Sequence, residues 1–439
     1  MAALQRPRHF MAAAGIAAVS AAPALAGLQA AAERGAAEDA FAYAVALADA
    51  QRMADAQQWH LRAAEAGLVE AQIEYARMRL YGIADVAAPQ AATQWLLRAE
   101  QAGHPAATDL LVQIALGGVA LPRDGRINER LHRAVQADFP PALLTAAIHF
   151  GRKPHPDDQS LCMQLLERAA GRGSAIAAML MAERLAHGEG CDAQPDIAED
   201  LWAQLTANGA VRLPDFTLPP PAIAQTAPRQ LSVEEVLSPQ QPRPLSALPR
   251  VSVIDQLFSA DECRLLIASA QPHLHDSQTA DPLTGVPYTL PVRSSSEASF
   301  DPLIETSALR LAQLRMVAAA GIDLPHAEQL TVLRYLPGQQ YRPHRDYLPG
   351  GTLQMDRPHA GNRLRTVCVY LNAVERGGET EFPVPGLRID PVPGRALIFD
   401  NLHPDGRPDP DSLHAGTPVI AGEKWLATLW IRQGRYRHW

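Results

Sequence analysis

Lysine is nearly absent from this 439-residue chain: Lys153 and Lys424 are the two it contains, and arginine carries the remaining positive charge. No long basic block occurs, and 39 Lys+Arg stand against 47 Asp+Glu, a net charge of -8. The sequence therefore offers no electrostatic face for nucleic acid. Cysteine is also scarce. Cys162, Cys191, Cys263 and Cys368 lie far apart and form no CxxC pair. This excludes a disulfide framework and a cysteine zinc site. No apolar run reaches the roughly 18 residues that span a bilayer free of polar or helix-breaking interruptions, so no membrane is expected as a partner. What remains, 47% apolar and 20% charged residues, is the composition of a globular protein and excludes a disordered or collagen-like chain.

The length fits two unequal domains. Residues 1–26 have more than one reading. Arg6 and Arg8 precede an alanine-rich stretch, Phe10 to Ala22, and then Pro23-Ala24-Leu25-Ala26. This is a leader with a small-residue cleavage site, an alanine-rich helix, or a chain whose real start is Met11. A cleaved leader would make the protein periplasmic; otherwise it is expected in the cytoplasm.

Residues 27–210 repeat. Trp59-His60-Leu61-Arg62-Ala63-Ala64-Glu65-Ala66-Gly67 recurs 36 residues later as Trp95-Leu96-Leu97-Arg98-Ala99-Glu100-Gln101-Ala102-Gly103. Further copies are Arg133-Ala134 with Asp138, and Arg168-Ala169-Ala170 with Gly173. Four residues after each stop comes alanine: Ala71, Ala107, Ala142, Ala177. One glycine stop per 35–36 residues predicts helical hairpins stacked into a solenoid. The glycine ends the first helix because a left-handed cap is cheap only for Gly, and the small alanine lets the second helix approach. This stretch resembles the Sel-one-like repeats, relatives of the tetratricopeptide repeats. The resemblance implies a scaffold for protein partners; a stabilising appendage is the blander alternative.

Residues 211–249 are expected to be a Pro-rich linker, with nine prolines between 214 and 249 and a short helical piece at Val233 to Leu237. From residue 250 the pattern changes. Val251 to Ile254 alternates like a strand, and Ser259 is placed to cap a helix running to about Ala270. A second helix is expected over Leu303 to Ala320. Short strands follow at Leu330 to Tyr335, Arg365 to Leu371, Glu379 to Phe382, Ala396 to Phe399, Gly416 to Ile420 and Trp425 to Ile431. Such spacing, with Gly or Pro turns, predicts a sandwich or jelly-roll barrel.

The chemistry centres on Tyr341-Arg342-Pro343-His344-Arg345-Asp346. In an extended chain His344 and Asp346 point to one face. Two His and one carboxylate on one face of an octahedron suit non-haem Fe(II) and leave three positions open. An HxD triplet alone is weak: with 15 histidines about one arises by chance. His155-Pro156-Asp157 and His403-Pro404-Asp405 are read as turns. His344 differs in its company. Downstream lie Ser412-Leu413-His414-Ala415-Gly416 and Gly422-Glu423-Lys424-Trp425. A lone Lys in an apolar strand needs a counter-charge, and the distal carboxylate of 2-oxoglutarate would supply one.

Residues 250–432, within a domain expected to run over 250–439, resemble the catalytic domain of the prolyl 4-hydroxylases, a branch of the Fe(II)/2-oxoglutarate dioxygenases. The matching motifs are Phe258-Ser259-x-x-Glu262-Cys263, Val292-Arg293-Ser294-Ser295-Ser296 and Arg334-Tyr335-x-x-Gly338-Gln339-x-Tyr341-x-x-His344-x-Asp346-Tyr347. They continue through Val369-Tyr370-Leu371-Asn372, Gly377-Gly378-Glu379-Thr380-x-Phe382-Pro383 and Pro404-Asp405-Gly406 to the His414 and Lys424 segments, ending at Trp430-Ile431. The resemblance implies a multidomain α + β chain: an N-terminal α-solenoid of helical hairpins and a C-terminal double-stranded β-helix (jelly roll) with flanking helices.

It further implies His344, Asp346 and His414 as iron ligands and Lys424 as the partner of the 2-oxoglutarate distal carboxylate. Tyr335 and Thr366 would assist at the cosubstrate, and Arg293, Tyr347 and Trp430 would face substrate. Fe(II), 2-oxoglutarate and O2 are the implied cofactors, with ascorbate as a reductant. The implied reaction is hydroxylation of an unactivated C–H, with 2-oxoglutarate decarboxylated to succinate. Reduced iron and 2-oxoglutarate are abundant in the cytosol, which favours the cytoplasm. Three functions stay open: a prolyl hydroxylase acting on a protein or peptide recruited by the repeats, a hydroxylase of a free amino acid or small metabolite, and a repeat adaptor that has lost catalysis. Leu348 to Asn362 departs from the family in length and composition and puts proline itself in question.

Overall fold

The structure, a computed structural model, describes residues 21–123, 125–221, 227–238, 240–277, 279–280, 287–288 and 294–437. Residues 1–20 of the N-terminal segment and Arg293 lie outside the described residues. The first half is helical, as the repeat predicts. It consists of α1 (Ala21–Ala32), α2 (Ala37–Asp49), α3 (Met53–Glu65), α4 (Val69–Tyr81), α5 (Pro89–Gln101) and α6 (Pro105–Gly117). Then come α7 (Ile127–Gln136), α8 (Pro140–Gly151), α9 (Pro156–Gly171), α10 (Ala175–His187) and α11 (Pro195–Ala207).

The repeat register is physical. Gly67, Gly103 and Gly173 follow α3, α5 and α9 with φ of 97°, 83° and 91°, the left-handed region where a side chain is strained. Asp138 takes the same turn at φ 53°, which aspartate tolerates better than most residues, and it pairs with Arg168 and Arg172. Ala71, Ala107, Ala142 and Ala177 are fully buried. His155, expected in a turn, instead caps α9: its Nδ1 accepts from the Asp157 amide, and Pro156 opens the helix.

The chain divides into two compact units, one mainly of residues up to Ile114, the other mainly of residues from Arg123 onward. The first holds α1 to α5 and most of α6, stacked on buried alanine and leucine such as Ala63, Leu96 and Leu111. The second holds α7 to α11 together with every strand of the C-terminal half. In it the expected linker is not free. Leu213, Phe216, Val233 and Val236 are buried, and Val233–Leu237 forms the expected helical piece as a 3-10 turn. Strand β1 (Arg243–Ala247) pairs antiparallel with β2 (Arg250–Ile254). The apolar residues between the prolines have a core to enter.

After β2 comes α12 (Ala260–Ala270), opened by a capping box between Ser259 and Glu262. Next are β3 (His275–Asp276), β4 (Thr279–Ala280), β5 (Pro287–Tyr288), β6 (Ser296–Ser299) and α13 (Ser307–Ala320). α13 starts four residues later than expected, because the Thr306 hydroxyl caps it by accepting from the Leu309 amide. Then follow β7 (Thr331–Tyr335), β8 (Tyr341–His344), α14 (Gly350–Met355), β9 (Arg363–Tyr370), β10 (Arg376–Gly377) and β11 (Thr380–Phe382). The chain closes with β12 (Leu387–Ile389), β13 (Ala396–Asp400), β14 (His414–Gly416), β15 (Val419–Ala421) and β16 (Lys424–Arg432).

The strands form an eight-stranded sheet, β1-β2-β13-β9-β16-β7-β6-β3, a four-stranded sheet, β12-β11-β14-β8, and the two-stranded pairs β10-β15 and β4-β5. Val251, Leu333, Tyr370 and Leu397 of the large sheet share one core with Phe382 and Ile389 of the small sheet. This is the expected jelly roll, with α12 and α13 against the large sheet as flanking helices. Among the described residues no helix is long and apolar enough to cross a membrane.

Candidate active site

The small sheet brings the separated histidines together. β14 runs antiparallel to β8 with His414 directly opposite His344, and a register shift follows at Gly416. Asp346 lies two residues beyond β8. His344 Nε2 is 3.6 Å from one Asp346 oxygen and His414 Nε2 is 3.8 Å from the other. One ligand atom from each of the three residues lies within 4.8 Å of the others.

Both imidazoles are oriented by their own backbone. His344 Nδ1 bonds the Arg342 carbonyl at 2.8 Å, and His414 Nδ1 bonds the Ser412 carbonyl at 2.9 Å. That tautomer leaves each Nε2 lone pair facing the carboxylate, the arrangement a metal-binding imidazole needs. Tyr341 stacks on His344 with ring centres 3.3 Å apart, and Phe399 packs on His414 at 4.6 Å.

The electrostatics agree with a cation site. Burial alone would raise the Asp346 carboxyl, but His414, His344 and Arg363 outweigh it and hold the group well below the usual carboxylate range. Burial, helped by His344, lowers His414 to about 4 against the opposing pull of Asp346. Two imidazoles and one carboxylate are the donor set that suits Fe(II), and the residues present fit that ion.

The triad lines a small cleft of about 40 Å³. Lys424 stands in the same cleft. It opens β16 opposite Tyr335 of β7, and its ammonium lies 5.5 Å from the Tyr335 ring centre and 5.4 Å from that of Tyr370. Lys424 is only 3% exposed, and among the described residues no carboxylate pairs with it. Burial lowers its pKa to about 8. An unpartnered, desolvated ammonium is the feature a dicarboxylate cosubstrate would satisfy. Gly378 makes room for it: a Cβ there would stand 3.3 Å from the lysine Cδ. Glu379 and Glu381 are spent on Arg388, which supports a structural reading of that turn.

Thr366 touches the triad itself. Its hydroxyl donates to Asp346 Oδ2 at 2.8 Å and accepts from Asn401 Nδ2 at 2.9 Å. It lies opposite Trp430 on β16, six residues along from Lys424, roughly 20 Å at strand spacing. The Thr366 hydroxyl therefore steadies the Asp346 carboxylate. Tyr335 and Trp430 line the cleft, whereas Tyr347 is half-buried and is not among the lining residues. Trp430 also carries the Arg363 guanidinium over its ring at 4.1 Å, with Arg363 held by both oxygens of Glu328.

Several neighbours were not legible beforehand. Asn401 had no motif signal. Arg345 Nε bonds the Pro410 carbonyl at 2.8 Å, tying the His344–Asp346 segment to the chain that leads into His414. Asn372 sat in a recognised motif without a role; its Oδ1 accepts the Trp425 amide and its Nδ2 donates to the Glu423 carbonyl, which pins the start of β16 beside Lys424. The departing segment 348–362 contains α14 and is closed by Asn362, which donates to the Leu348 carbonyl and accepts its amide.

The sequence profile described as the 2OG-Fe(II) oxygenase superfamily matches residues 330–432. "Probable prolyl 4-hydroxylase 3" of Arabidopsis thaliana is 37% identical over 216 residues, covering 44% of this chain and 72% of that protein. The viral collagen prolyl hydroxylase of Paramecium Bursaria Chlorella virus-1, solved with 2OG, is 29% identical with a TM-score of 0.32, over 42% of this chain and 95% of that one. A Sel1 repeat protein from Oxalobacter formigenes is 22% identical with a TM-score of 0.39, over 42% of this chain and 55% of that one. With its N-terminal helical repeats and its jelly-roll cleft, the chain belongs to the prolyl 4-hydroxylase family of 2-oxoglutarate-dependent Fe(II) dioxygenases.

Proposed function

We propose that the protein hydroxylates a prolyl residue within a protein or peptide, with His344, Asp346 and His414 holding Fe(II) and Lys424 receiving the distal carboxylate of 2-oxoglutarate. One observation carries this reading: the only unpartnered lysine ammonium among the described residues shares a cleft with the His–Asp–His cluster. When bound there, iron, 2-oxoglutarate and O2 supply an oxidative decarboxylation coupled to insertion of one oxygen atom into a C–H bond. The chain's own part is positioning. The two Nδ1 bonds fix the imidazoles, Thr366 fixes the carboxylate, and Tyr335 with Tyr370 walls the lysine end. Trp430 offers an aromatic face at the cleft, where a proline ring can pack.

The test incubates the protein with Fe(II), 2-oxoglutarate and two substrate pools, proline-containing peptides and free amino acids, and searches for products 16 mass units heavier, an oxygen atom's mass. Hydroxylated peptide with matching succinate supports the reading. Product confined to the free amino acids replaces it with a metabolite hydroxylase, and no binding of Fe(II) by calorimetry removes the enzyme reading.

A further inference from the structure

Within the second unit, the last repeat helices meet α12 and α13 across a face built of charge. Arg152, at the end of α8, donates to Glu262 of α12, and Glu262 also accepts from Arg315 of α13 at 2.9 Å. Arg184 of α10 bonds both oxygens of Asp261 through Nε, at 3.2 and 3.0 Å. In the reverse sense Arg264 of α12 donates to Glu189, just past α10, at 2.9 Å. Arg152, Arg184, Asp261 and Glu262 are each no more than 2% exposed, and Arg264 is 0% exposed.

Charges buried this fully persist only with their partners, and loss of one partner strands the other. The pattern is also directional: positive, positive, negative on the repeat side against negative, negative, positive on α12. Complementary charge of this kind fixes register and rejects other partners. Close approach is built in as well. A Cβ on Gly151, the last residue of α8, would stand 2.5 Å from an Asp261 oxygen and 2.6 Å from Arg184 Nη2.

A second contact follows the same logic. The main chain of 229–233, in the expected linker, is held by repeat side chains. Asp158 accepts the Arg229 amide at 2.6 Å, Lys153 donates to the Gln230 carbonyl, and Asn128 accepts the Val233 amide at 2.9 Å. Lys153 and Asp158 are themselves buried. This accounts for the chain's other lysine.

We infer that α7 to α11 are the fixed buttress of the catalytic domain and not an arm for recruiting proteins: their partner surface is already taken by α12, α13 and the 229–233 strap of their own chain. Any protein recruited through repeats is then taken by α1 to α6. The buttress reaches the site in few steps, since Cys263 of α12 lies against the Tyr370 carbonyl and the Tyr370 ring faces Lys424.

Native-state hydrogen exchange on the full chain tests this. If the second unit is one cooperative body, the slowest amides of α8 to α10 and of β9 and β16 share one opening free energy across a series of denaturant concentrations. Repeat amides that open in a separate, earlier step overturn the inference. Gly151→Ala is the decisive variant. Alanine favours the helix itself, yet it forces Arg184 and Asp261 apart. Exchange should rise roughly tenfold or more in α12 and β9 as well as in α10. A rise confined to the repeat helices, or none, refutes it. Should Gly151→Ala fail to fold, Asn128→Ala, which removes strap bonds at a half-buried site, is read in the same way. Neither readout depends on which substrate is hydroxylated.

Discussion

Replacing Lys424 with methionine should stabilise the fold while disabling cosubstrate binding. Burial lowers the ammonium from 10.5 to about 8, which corresponds to about 3 kcal/mol against the charged form. The sign follows from linkage. The folded site holds its proton less tightly than the unfolded chain does, so the full penalty burdens the fold below pH 8 and fades as pH rises from 8 to 10.5. Methionine has similar length and no charge. At pH 7 the variant should be more stable than wild type by about 2–3 kcal/mol, a rise of about 1 M in the urea midpoint for a slope of about 2–3 kcal/mol/M. At pH 10 the two proteins should converge. The assay is urea unfolding followed by tryptophan fluorescence at both pH values. In parallel, loss of a charge-assisted bond of about 1.5–3 kcal/mol should raise the KM for 2-oxoglutarate by about tenfold to a hundredfold. A variant that is no more stable at pH 7 would refute the premise that the ammonium waits unpaired for a ligand. A variant that is more stable with an unchanged KM would remove Lys424 from the cosubstrate site.

Other outcomes are equally open to measurement. His344→Ala and Asp346→Ala should each abolish Fe(II) binding by calorimetry and succinate formation, with little change in circular dichroism. Thr366→Val should weaken metal binding by about 10–100-fold with the KM for 2-oxoglutarate nearly unchanged once the metal is saturating; a selective KM effect would return Thr366 to the cosubstrate. The KM for 2-oxoglutarate should climb above pH 8 in wild type as the free Lys424 ammonium deprotonates, and this limb should be absent in Lys424→Met. Gly67→Ala, at φ 97° with open space around the new methyl, should cost about 1–3 kcal/mol through backbone strain alone, seen as an earlier transition of the first unit in thermal unfolding.

Local patterns carried much of this protein. The Gly-to-Ala spacing announced the helical hairpins because a left-handed stop and a small contact residue are short-range demands. The same holds for the capping box at Ser259 and for most strands of the jelly roll. The split of the expected Gly416 to Ile420 strand into β14 and β15 was hidden, because the break comes from pairing with two different neighbours, β8 and β10. The bond from Thr366 to Asp346 was hidden for a similar reason: period-two alternation gives the face of a strand and says nothing of which distant residue stands opposite.

Composition and spacing committed the chain to stacked hairpins, a sandwich or jelly roll and one lysine without company, and the resemblance to the prolyl 4-hydroxylases implied the His–Asp–His set. The tertiary structure decided the remainder: that His414 lies across from His344, that Thr366, itself bonded by Asn401, holds the aspartate, and that α7 to α11 belong with the catalytic body. These depend on strand register and on ion pairs between residues as far apart in sequence as Arg152 and Glu262. Such contacts gain their energy only when burial removes water from both partners at once, which no local pattern of side chains can encode.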